Sequence, residues 1–128
     1  MSQKRKEIVE KVNASFAAGS PEALFENSTE NLVWNMVGEK VSTGHQEIRD
    51  WMKQMEGSEP PQFTVDKIVA EGDSVVCFGD MTMTEPKEAA GNYSYVDVYT
   101  FAGDKITELR SYVVKHKTEG ERSEKAAG

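Results

Sequence analysis

Asp97 interrupts a row of rings. In Tyr93-Ser94-Tyr95-Val96-Asp97-Val98-Tyr99-Thr100-Phe101 the rings and the acid take every second position, and Val96 and Val98 fall between them. A strand sends alternate side chains to opposite faces, so Tyr93, Tyr95, Tyr99 and Phe101 share a face with the carboxyl. A carboxylate among rings must be paired, wet or protonated, because an unpaired buried charge is strongly disfavoured. Such a group suits proton transfer, or hydrogen-bond donation in its neutral form. Asp80 is the second candidate. It is expected to face the same interior from a neighbouring strand, where two carboxyls sharing a proton divide into one acid and one base. The plainer alternative gives each acid a structural hydrogen bond: Asp97 to a ring hydroxyl or indole, Asp80 to backbone or solvent.

Trp34, Trp51, Phe63, Phe78, Tyr95 and Tyr99 are candidate walls of a pocket for a flat apolar molecule, since aromatic side chains offer large area with few rotors. Asn35 would orient the polar groups of that molecule. For Trp51 and Phe63, ordinary core packing is the simpler reading. No spacing of His, Cys, Asp or Glu indicates a metal site, and no glycine-rich phosphate loop occurs. No Ser-His-acid arrangement can be built around His45 or His116, which are expected at the surface. No cofactor is expected. Cys77 is the one cysteine, so no internal disulfide can form. It is expected on the outer face as a small apolar side chain. A formal charge of −7 argues against nucleic acid and against an anionic membrane surface as partners. With no signal-like or membrane-length apolar run, a cytoplasmic location is the default expectation.

Positioning these residues requires helices first and strands after. Ile8, Val12 and Phe16 recur every four residues and predict a helix over 3–18. Ser20-Pro21-Glu22 starts a short second helix. Residues 31–37 read as a strand, with Leu32, Trp34 and Met36 on one face. Val41-Ser42-Thr43-Gly44 reads as an extended link into a third helix over 45–55. Residues 57–61 form a loop by composition. Strands follow over 62–70 and 74–84, joined by Gly72-Asp73. A long hairpin then turns at Gly103-Asp104. This grouping indicates α+β and not alternating α/β. One domain over 1–116 is expected, with 117–128 as a loose charged tail. With the aromatic row inside, Val75, Cys77, Met81, Met83, Val96 and Val98 are expected outside. An open apolar sheet face of that kind asks for a second copy, so a homodimer through the convex face is expected.

The pieces that carry a family likeness are the first helix ending in Ala-Gly-Ser-Pro-Glu, Leu32-Val33-Trp34-Asn35, Gly44-His45-Gln46-Glu47-Ile48, the Tyr95 to Phe101 strand, and Leu109-Arg110-Ser111-Tyr112. Their order resembles the nuclear transport factor 2-like superfamily, in its SnoaL-like and ketosteroid isomerase-like branch. The resemblance implies a cone: a bent, mainly antiparallel sheet wrapped on three amino-terminal helices, with a pocket at the wide end, usually dimeric. It also implies roles residue by residue. Against ketosteroid isomerases, Asp97 matches the oxyanion-hole aspartic acid. Asn35 or its neighbour stands where the general base is expected, and Val12 where a tyrosine is. Against limonene epoxide hydrolases, Asp80 matches one acid of the water-activating set, while Phe78 replaces its arginine and Val114 its last aspartate. The implied function is a small-molecule pocket with cofactor-free acid–base chemistry of an isomerase, lyase or epoxide-type hydrolase. The alternative is a binding or dimerisation module of the same fold.

Overall fold

Two short turns, Gly72-Asp73 and Gly103-Asp104, set the back half of the molecule. Gly72 and Gly103 take φ of 58° and 60°, the left-handed values that such turns need and that glycine adopts without strain. The computed structural model describes residues 2–53, 62–83 and 91–116. Helices α1 (Ser2–Ala17) and α2 (Glu22–Glu26) precede β1 (Ser28–Met36) and β2 (Lys40–Thr43). Helix α3 (His45–Lys53) leads to β3 (Gln62–Phe63), β4 (Lys67–Glu71), β5 (Ser74–Met83), β6 (Gly91–Ala102) and β7 (Lys105–Lys115). The strands make one seven-stranded sheet in the order β2-β1-β7-β6-β5-β3, with β4 also on β5. Every pairing is antiparallel except β1 with β7. The fold is α+β, as expected. No described helix is long and apolar enough to cross a membrane.

Helix α1 turns Ile8, Val9 and Val12 onto the sheet, and these residues are buried. Leu24, Leu32, Ile48, Val75, Cys77, Tyr99, Ile106 and Leu109 complete the closed part of the core. At that closed end Arg5 is itself buried. Its Nε donates to the Gly103 carbonyl at 3.0 Å, and its Nη1 to the Gly72 carbonyl at 2.9 Å and to Asp73 Oδ1 at 3.1 Å. The guanidinium also lies 5.4 Å from the Phe101 ring centre. One side chain thus ties α1 to both tight turns, and backbone carbonyls take the hydrogen bonds that a buried cation needs.

Three expectations change in the fold. The extended link before α3 is a paired strand, β2, hydrogen-bonded to β1 from Val33–Thr43 to Met36–Lys40. The strand expected over 62–70 is broken at Thr64–Asp66 into β3 and β4. The reason is Gly79: a Cβ there would stand 2.0 Å from the Thr64 carbonyl oxygen, so the chain crosses where no side chain exists. The facing of β5 is opposite to that expected. Val75 pairs with Tyr99 and Cys77 with Asp97, so Val75, Cys77 and Met81 point inward with the aromatic row. The expectations for 54–61, 84–90 and the tail lie outside the described residues, as does the Met83 side chain.

Candidate functional site

Strand register builds the site. Ile68, Cys77, Asp97, Ser111 and Met36 lie opposite one another in a row across β4, β5, β6, β7 and β1. The next row toward the closed end is Ala70, Val75, Tyr99, Leu109 and Trp34. Opposed residues share a face, so both rows line the concave side. Val75, Tyr99 and Leu109 are fully enclosed, whereas Asp97, Trp34, Met36, Met81, Val113 and Phe63 all keep partial exposure. From the helices, Phe16, Trp51 and Met52 are likewise partly open. These partly open side chains lie on the helix-covered side of the sheet, away from the Arg5 end. Rings touch here: Phe16 and Trp34 lie 5.7 Å apart, and Trp51 meets Trp34 edge-on at 5.6 Å. Phe63 meets Tyr95 edge-on at 6.0 Å.

Asp97 is the carboxyl of this inner row among the described residues. The protein surrounding it pushes its carboxyl up from 3.8 to about 6, and a hydrogen bond from Ser111 partly opposes the shift. Ser111 is oriented in turn, because Trp34 Nε1 donates to its Oγ at 3.0 Å. The indole occupies a lone pair of the serine and leaves the single hydroxyl proton for Asp97. Burial also raises the Cys77 thiol, the Tyr95 hydroxyl and the Tyr99 hydroxyl, so all three stay neutral near neutral pH. Asn13 Nδ2 donates to Cys77 Sγ at 3.2 Å. The Tyr95 hydroxyl donates to the Thr64 carbonyl at 2.7 Å. The Tyr99 hydroxyl is buried with no hydrogen-bond partner.

Trp34, Trp51, Phe63, Tyr95, Tyr99 and Asp97 therefore share the inner side. Three other candidates do not. Asp80 pairs with Ser94, and Phe78 with Val96, on the outer face. The two acids lie on opposite sides of the sheet and cannot share a proton. Asn35 pairs with Arg110 and Val41, also outside. For Asp80 and Phe78 the cause is the period of two, since one residue of register moves all of β5's side chains to the other face; Asn35 faces out because it alternates with the inward Trp34 and Met36.

Asp80 belongs to a different cluster, one not expected from the sequence. Ser94 Oγ donates to Asp80 Oδ1 at 2.9 Å and lies 2.7 Å from His116 Nε2. A hydrolytic triad needs the serine proton on the histidine and the acid on the other ring nitrogen. Here the serine proton goes to the acid, and His116 Nε2 donates to the serine. The wiring is a strand-end lock, not a primed nucleophile. His45 is also engaged, with Nε2 2.9 Å from Ser28 Oγ and its ring 4.9 Å from that of Phe25. Among the described residues, no group of three or more His, Cys, Asp or Glu could hold a metal ion.

Sequence reasoning missed Ser111, Asn13 and the inward place of Cys77. Ser111 had a readable sign. It is the one hydroxyl in the inner series Leu109, Ser111, Val113, on the strand that returns past Asp97.

A family model described as a SnoaL-like domain matches residues 9–109. No curated protein matches the sequence. Solved structures do. A protein assigned as a SnoaL-like polyketide cyclase, from Jannaschia sp. CCS1, superposes with a TM-score of 0.77 at 16% identity, over 88% of this chain and 87% of that one. An epoxide hydrolase of the limonene epoxide hydrolase-like type from M. tuberculosis gives 0.74 at 16% identity, over 88% and 84%. A nuclear transport factor 2-like protein of unknown function from Burkholderia pseudomallei K96243 gives 0.77 at 14% identity, over 97% of both chains. At these identities the likeness concerns the fold.

Proposed function

Because this chain belongs to the SnoaL-like domain family of the nuclear transport factor 2-like superfamily, we propose that its recess takes up a small, mostly apolar molecule and acts on it by cofactor-free acid–base chemistry. Asp97 is the acting group. The observation that carries this reading is a carboxyl held near 6 on a partly open, ring-lined inner wall. A group that titrates there gives and takes protons close to neutral pH, which an ordinary carboxyl does poorly. Isomerisation, elimination and epoxide opening all use one such group. The fold neighbours that carry the names of a polyketide cyclase and an epoxide hydrolase are consistent with chemistry of this class.

A second reading has its own support. Burial and Ser111 are the influences acting on Asp97, and no second carboxyl among the described residues acts on it. With Asp80 outside, the described residues give the recess one acid where two would divide the work. That favours uptake without turnover. A panel of small apolar enones, epoxides and hydroxy ketones separates the two. Turnover lost by a hundredfold or more in Asp97→Asn supports catalysis. Saturable binding without turnover supports the binding module. Absence of both removes the pocket.

The outer face completes the proposal. Val69, Val96, Tyr112 and Val114 are exposed there, beside the half-buried Val76, Phe78 and Val98. A second copy of this chain is the occupant we propose, since a patch of this kind can meet itself about a two-fold axis.

A further inference from the structure

Resting on the pocket reading above, we propose that the recess selects a cation: a small apolar amine, its ammonium against Asp97 and its apolar body against Trp34 and Trp51. Hydrogen-bond accounting leads there. Three donors of the inner wall are already engaged. Trp34 Nε1–H is taken by Ser111, the Tyr95 hydroxyl by the Thr64 carbonyl, and Asn13 Nδ2 by Cys77. The Tyr99 hydroxyl lacks a partner but is fully enclosed, out of reach of an entering molecule. Beyond the Trp51 indole N–H, what the wall still offers is the acceptor capacity of Asp97. A carboxylate has two oxygens and about four lone-pair sites, of which Ser111 uses one.

Charge points the same way. No cation among the described residues shifts Asp97. Arg5 is held by Gly72, Asp73 and Gly103 at the closed end. Arg110 lies outside with Glu108 at 3.7 Å, and Arg49 is held by Glu22 at 2.8 Å. Lys115 shares the inner face with Tyr93 and Met81, but it lies two rows from Asp97 with its side chain beside Gly91, and it does not shift the Asp97 carboxyl. The titratable groups that face Asp97 are Cys77 from β5 and Tyr95 and Tyr99 from β6, each neutral near neutral pH. Helix α1 presents Val12, Asn13 and Phe16 on the side packed to the sheet and no charge near Asp97. An anionic ligand would meet an unbalanced carboxylate in a chain of net charge −7. A neutral ligand would leave that carboxylate without a counter-ion. An ammonium supplies the missing partner, and the faces of Trp34 and Trp51 favour a cation as well.

The test uses three probes of one shape, phenethylamine, phenethyl alcohol and phenylacetate, bound to the full chain in a calorimeter. At about pH 7.5 the amine should bind at least about tenfold tighter than the alcohol, with phenylacetate weakest. Lowering the pH to about 5 should weaken the amine about tenfold, because Asp97 gains a proton, and leave the alcohol unchanged. Asp97→Asn should erase the amine's advantage while the alcohol still binds. If the alcohol or phenylacetate binds as tightly as the amine in the wild-type chain, the cation inference falls and the pocket stands. If none of the three binds, the pocket itself falls. The pH comparison needs only wild-type protein, so the proposal remains testable should the variant fail to fold.

Discussion

A carboxyl that moves from 3.8 to about 6 on folding makes the folded chain favour the protonated acid. At a pH below 3.8 both states hold the proton and the group is neutral to stability. Between 3.8 and about 6 the unfolded chain releases the proton while the folded chain keeps it, so stability falls as pH rises and then levels off. The full effect is at most about 3 kcal/mol, since each pKa unit is worth about 1.4. Asp97→Asn should therefore be more stable than wild type above pH 6 by up to that amount, with the gain gone below 3.8. Denaturant unfolding across this range measures it. A residue that lowers stability in this way fits the stability–function trade-off expected if the proposed role of Asp97 holds. Ser111→Ala works in the other direction on the same group. Without the serine proton the Asp97 carboxyl should titrate still higher, and carbon NMR of that side chain reads the change.

At the level of elements, the break between β3 and β4 is where the backbone is least tolerant. Gly79→Ala would drive a methyl into the Thr64 carbonyl, which also receives the Tyr95 hydroxyl. Backbone cannot yield as a flexible side chain can, so a loss of about 3 kcal/mol or more is expected in urea unfolding. The strands also explain what could be read in advance. In β6 every inner position from Tyr93 to Phe101 but Asp97 is a ring, so its facing was plain. In β5 the run Val75-Val76-Cys77-Phe78 is apolar on both sides, and alternation says nothing. Nor is its pairing with β6 set by a two-residue turn, as β6 with β7 is. The partner of Asp97 was hidden for another reason. Counting back from the pair Ala102–Lys105 places Arg110 opposite Asp97, but a bulge at Thr100–Phe101 shifts the register and brings Ser111 there instead. One extra residue thus replaces a neutralising cation with a neutral hydroxyl. The acid's unusual proton affinity depends on that shift.

For the whole molecule, the helices cover one side of the sheet and leave apolar side chains of the other side exposed. Tyr112 and Val96 lie opposite each other near the middle of the bare face, and both are exposed. Sedimentation equilibrium should give the mass of two chains, against 14.2 kDa for one. Val96→Lys with Tyr112→Lys should return the single-chain mass with the fold retained, because both side chains point away from the core. A wild-type mass of one chain would remove the paired assembly and leave the recess untouched. The α+β layout was legible from the order of helices and strands. The outer face was legible only in part: Val96 and Val98 were placed correctly, while Val76 and Phe78 of β5 take the positions expected of Val75 and Cys77.

The account stands most directly on the proton affinity of one carboxyl. A pH titration of the Asp97 side-chain carbon by NMR, on the wild-type chain, measures it without any assumption about ligand. The account predicts a midpoint near 6. A midpoint at the ordinary carboxyl value of 3.8 would mean that Asp97 is solvated and unconfined, and would contradict it.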